Sequence, residues 1–118
     1  MSIPHNGCRT GTYLEHSISV PTWATVLDLD VTIGDLRHAW DDDVNLYLQA
    51  PDGTQVALST GNGGMGDNYY NTVFDDEAAT AITAGTPPFT GRFRPEGALA
   101  TFDGLNQQGD WTLRICDS

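Results

Sequence analysis

The sequence predicts a single all-β sandwich domain. Three observations lead there. Apolar and polar residues alternate with period two in several short stretches, which is the signature of strands with one buried face. Helical periodicity is almost absent, and the stretches are separated by segments rich in Gly, Pro, Asp and Asn. The chain has 118 residues, enough for one domain with a modest core.

The elements follow in order. Residues 12–20, TYLEHSISV, read as an early strand. In VLDLDVTI, residues 26–33, Leu27, Leu29, Val31 and Ile33 point one way and Asp28, Asp30 and Thr32 the other. In VNLYLQ, Val44, Leu46 and Leu48 alternate with Asn45, Tyr47 and Gln49. The APDGT that follows sets Pro51 at the second and Gly53 at the fourth position of a type I turn. QVALS then carries Val56 and Leu58 inward, so residues 44–59 read as a hairpin. The glycine-rich TGNGGMGDN, residues 60–68, reads as a loop. DDEAATAI is expected to make one helical turn with Asp75 or Asp76 as N-cap. TAGTPPFTGRFRPEGAL, with three prolines and three glycines, is expected to wrap the surface without regular structure. DWTLRIC closes the chain with Trp111, Leu113 and Ile115 on one face. Several short strands joined by turn-rich links add up to a sandwich.

Charge narrows the function. Five basic residues, all Arg, face sixteen acids, for a net charge of −11. Nucleic acid and anionic membrane both require clustered Lys and Arg and are excluded as partners. Thirteen of the acids are Asp and only three are Glu, which favours turns and cation ligands over a solvated helical face. No apolar run reaches the ~18 residues that a membrane-spanning helix requires. The opening MSIPHNGC has neither the basic stretch nor the apolar centre of a signal peptide. The expectation is a module taken from a longer secreted protein. Cys8 and Cys116 lie near opposite ends. They are either two thiols or one bridge closing nearly the whole chain. An Asp-rich extracellular setting favours the bridge, which the loop-entropy argument values at roughly 4–5 kcal/mol.

The acids gather in three clusters: Asp41–Asp43 with Asp42 between, Asp67–Asn68, and Asp75–Asp76–Glu77. DDDVNLYLQAPD fails as an EF-hand, because Leu46 holds the sixth place and Asp52 the twelfth. Loops at one end of a sandwich can nevertheless converge, and calcium takes about six to eight oxygens. The opposing view is three separate solvated turns. His5, His16 and His38 have no zinc spacing. No Gly-x-Ser-x-Gly elbow or comparable nucleophile appears, so intrinsic catalysis is not expected. Trp23, Trp40, Tyr47, Tyr69 and Tyr70 could form a sugar-stacking platform, which makes a carbohydrate- or surface-binding jelly roll the alternative reading.

Three segments together resemble a known family. HAWDDDVNLYLQAPDGTQVAL, NTVFDDEAATAI and PPFTGRFRPEGALATFDGLNQQGDWTLRICD are similar, in that order, to the P domain, or homo B domain, of subtilisin-like proprotein convertases and bacterial secreted proteases. The likeness covers roughly residues 26–117. Val44 stands where Leu is usual, and Ala50 where Ser is usual. The resemblance implies a jelly-roll β-sandwich spanning 1–118, without catalysis of its own. It implies a role in folding, stability or targeting of a protease catalytic domain in the same parent chain, and an extracellular location. It also implies Ca2+, with Asp75, Asp76 and Glu77 as first ligands, Asp67 next, and Asp42 and Asp43 beside them. His38 and Asp43 match family positions shared by convertases lacking the acidic loop, which implies mainly structural parts for both.

Overall fold

The computed structural model describes residues 14–27, 29–36, 44–60, 69–85 and 89–117. Among the described residues there are seven strands: β1 (Leu14–Val20), β2 (Val31–Leu36), β3 (Val44–Gln49), β4 (Gln55–Thr60), β5 (Tyr69–Phe74), β6 (Phe89–Phe93) and β7 (Gly109–Asp117). They form a four-stranded sheet of order β1-β7-β3-β4 and a three-stranded sheet of order β2-β5-β6. The two sheets enclose one core, so the chain is an all-β sandwich.

The larger sheet follows from alternation. Val44, Leu46 and Leu48 of β3, Val56 and Leu58 of β4, and Trp111 and Ile115 of β7 are all buried. The β3–β4 turn is the expected one: Gly53 N–H donates to the Ala50 carbonyl at 3.0 Å, and Ala50 N–H to Thr54 at 2.8 Å. Asp52 Oδ1 accepts from Thr54 N–H at 2.9 Å. β7 is an inner strand, paired antiparallel with β1 and β3.

The smaller sheet departs from expectation in three ways. Leu27 is 83% exposed, and Val26 is buried in its place. Val26 N–H donates to Leu105 O and Val26 O accepts from Gly104 N–H, each at 2.8 Å. These bonds dock the segment on residues 104–105 with Val26 inward, and regular pairing starts only at Val31. Next, Tyr69–Phe74 is a strand, and the Pro- and Gly-rich segment after it contains β6. β5 and β6 run parallel, with a register break between Tyr69 and Thr72. Asn71 at φ 47° and Gly91 at φ 105° take up that irregularity, residue types that tolerate the left-handed region. Finally, the acids at 75–77 start no α-helix. They form a turn closed by Ala78 N–H to Asp75 O at 3.0 Å, and the 3-10 turn Ile82–Ala84 that follows has no side-chain cap.

A parallel pair needs a crossover connection. Here it is pinned to β6 by Asp75 N–H to Phe93 O at 2.9 Å, Arg94 N–H to Thr80 O at 2.8 Å, and Ile82 N–H to Arg94 O at 3.0 Å. Phe74, Phe89, Phe102, Ile82 and Leu99 fill the core beneath it. Phe89 meets Phe93, and Phe102 meets Trp111, each edge to face, at 5.7 and 5.3 Å between ring centres.

Candidate cation site at the strand ends

Strand register assembles the site. Val31 pairs with Phe74, so Asp30, just before β2, arrives beside Asp75, just after β5. Phe74 pairs with Phe93 on the other side, which brings Arg92 of β6 to the same corner. Oxygens of Asp30, Asp75 and Glu77 lie within 4.8 Å of one another. Asp75 is half-buried, and the other two are exposed.

Asp75 is the hub. Its Oδ1 accepts from Glu77 N–H at 3.0 Å, and its Oδ2 accepts from Arg92 at 2.8 Å. Arg92 also lies 3.7 Å from Asp30. Hydrogen bonding with Glu77, through its side chain and main chain, and then Arg92, holds the Asp75 carboxyl below the usual carboxylate range. Three carboxylates and one guanidinium leave a formal charge of −3 + 1 = −2 at this corner. The donors are hard oxygens, the ligand type that divalent cations such as calcium and magnesium take.

Asp76, the middle acid, does other work. Its Oδ1 accepts from Leu99 N–H at 2.9 Å and its Oδ2 from Ala100 N–H at 2.8 Å. These are the first amides of the 3-10 turn Leu99–Phe102, so Asp76 caps a turn remote in sequence, not its own. Both oxygens are thereby engaged outside the Asp30–Asp75–Glu77 group. Asp42, Asp43 and Asp67 lie outside the described residues, as do His38 and Trp40. Asp30 and Arg92 were not among the expected ligands. Asp30 reads as a solvent-facing strand residue, and only the pairing of β2 with β5 reveals its position.

Of the other expected site residues, Cys116 is fully buried, whereas Cys8 lies outside the described residues. Of the aromatics expected to form a platform, Trp23 is 67% exposed and Tyr47 half-buried, and the side chains of Tyr69 and Tyr70 lie outside the described residues; Trp111 is core with its indole N–H on Gln107 O at 2.9 Å. Among the described residues no helix is long and apolar enough to cross a membrane.

The proprotein convertase P-domain family matches residues 28–118. The chain belongs to that family. P domains are non-catalytic accessory domains of subtilisin-like proteases. The crystal structure of the serine protease of Aeromonas sobria contains a similar fold, with a TM-score of 0.60 at 19% identity over 98% of this chain. At that identity the likeness concerns the fold. This P domain spans 17% of the length of that protease chain. No curated protein matches the sequence.

Proposed function

We propose that this P domain serves as the stabilising accessory domain of a secreted protease to which it is covalently attached. The family match over 28–118 carries this reading, and the similar sandwich within a bacterial serine protease supports it. The domain acts by its folded bulk and not by chemistry of its own. Deleting it from the parent protease should shorten the half-life of proteolytic activity at elevated temperature or lower the yield of folded enzyme. The 118-residue chain alone should hydrolyse neither casein nor peptides. Unchanged yield and half-life after deletion would refute the accessory role.

Calcium binding at Asp30, Asp75 and Glu77 is the second part of the proposal. The −2 charge, the oxygen donors and their spacing favour a divalent ion, while Arg92 competes by already neutralising Asp75. A cation bound only by the folded state adds RT ln(1 + [L]/Kd), ~2.7 kcal/mol at a hundredfold excess. For a domain of this size that raises the melting temperature by on the order of 10 °C. If Arg92 is the resident cation instead, calcium will do no more than sodium at equal ionic strength.

The third part is a Cys8–Cys116 bridge, which fits a secreted location. Mass spectrometry of the unreduced protein should show the loss of two hydrogens per chain. Alkylation of both thiols without reductant would contradict it.

A further inference from the structure

β4 is an edge strand of the larger sheet, and its own sequence protects it little. QVALST holds no charged side chain, no Pro and no Gly. Natural edges are commonly guarded by charge or Pro, because an open strand edge pairs with other chains. Within β4 the only irregularity is the register shift against Leu46 and Tyr47.

The guard comes from elsewhere in the chain. Residues 94–97, between β6 and the turn Leu99–Phe102, cross the open side of β4 without forming a strand. Glu96 and Gly97 donate their N–H groups to the carbonyls of Leu58 and Ala57 at 3.0 and 2.8 Å. The Glu96 carboxylate accepts from Thr60 N–H, and from Thr60 Oγ1 at 2.6 Å. It stands where a neighbouring strand would present a carbonyl, and it brings the charge that β4 lacks. Gly97 permits the close approach: a Cβ there would lie 2.8 Å from Val56 Cγ1 and 3.2 Å from Ala57 O. On its other side the segment is loosely packed. A cavity of about 310 Å3 separates it from the crossover, lined by Ala81, Ile82, Thr83, Arg94, Pro95 and Glu96.

We propose that residues 94–97 are a strap that keeps β4 from pairing edge to edge with a second copy of this chain, with Glu96 as its latch and Gly97 as its seat. Two copies of β4 related by a twofold axis would pair antiparallel, and each would meet the same uncharged strand. The net charge of −11 also opposes contact between copies. Release of the strap should therefore show most clearly where salt screens that charge.

Sedimentation velocity of the 118-residue chain at about 1 M NaCl, where the Debye length is ~3 Å, tests this. Wild type should stay monomeric. Glu96→Ala and Gly97→Val should each strengthen self-association by about tenfold or more, and the second changes no charge. Adding Thr60→Pro to either removes an outward N–H of β4 and should restore the monomer. Ile33→Ala, in β2, opens a cavity in the core but leaves the strap in place, so it should lose stability and remain monomeric. Glu96 is exposed, so its variant should fold, and a cooperative melting curve for each variant checks that association is read on folded protein. Monomeric Glu96→Ala and Gly97→Val, association that survives Thr60→Pro, or equal association of Ile33→Ala would each overturn the proposal. A wild type that already associates as strongly as the variants would overturn it too, since the strap would then guard nothing.

Discussion

Asp76 turns both carboxylate oxygens inward onto the N–H groups of Leu99 and Ala100, whereas Asp75 and Glu77 turn outward to meet Asp30 and Arg92. One region secures the core, since the turn that Asp76 caps carries the buried Leu99 and Phe102. The other is a charged corner at the ends of β2, β5 and β6, where little apolar surface depends on the acids. Neighbouring residues of one chemical type therefore divide between architecture and ligand chemistry. What separates them is the direction in which each side chain leaves the turn, a property of the crossover and not of the residue.

The contrast can be broken by mutation. Phe102→Ala, beneath the cap, should cost the most, about 3–5 kcal/mol in urea denaturation, because it removes a fully buried ring that packs on Trp111. Asp76→Ala should come next at roughly 1–3 kcal/mol, since two amides at a partly buried turn lose their acceptor. Glu77→Ala, without calcium, should stay within about 0.5 kcal/mol, as expected for an exposed side chain. A larger loss for Glu77→Ala than for Asp76→Ala would invert the assignment.

Acid should sharpen the same contrast with a smaller effect. The folded carboxyl of Asp75 lies below its ordinary value of 3.8, because hydrogen bonds with Glu77 and then the Arg92 pair favour the charged form. Stability from such a group is complete above the unfolded value and is lost as pH falls through the folded one. Asp75→Asn should therefore lower stability slightly at neutral pH and flatten the acid limb of a stability–pH curve, the gap to wild type closing as pH falls below about 4. An unaltered acid limb would show that Asp75 contributes nothing through ionisation.

Much of the fold is legible in the sequence where alternation is uninterrupted. The β3–β4 hairpin, its Pro51–Gly53 turn and the closing β7 strand stand where period-two patterning puts them. β6 escapes notice because Gly91 at positive φ breaks its alternation, leaving Phe89 and Phe93 buried with three exposed residues between. Leu27 misleads because its apolar side chain fits the pattern, while the backbone bonds of Val26 decide which residue faces in. The site is half legible. Asp75 and Glu77 announce themselves as adjacent acids, but Asp30 and Arg92 join them only through the pairing of three strands distant in sequence. Asp76 looks the same as its neighbours in one dimension, and only the fold shows the turn it caps.

The most direct test of this division is the calcium dependence of the melting temperature in wild type, Glu77→Gln, Asp30→Asn and Asp76→Asn, with sodium at matched ionic strength as reference. Calcium should raise the wild-type melting temperature beyond sodium. Glu77→Gln and Asp30→Asn should lose this increment, and Asp76→Asn should keep it from a lower starting value. An equal response to sodium and calcium, or an increment lost in Asp76→Asn and retained in Glu77→Gln, would contradict this division.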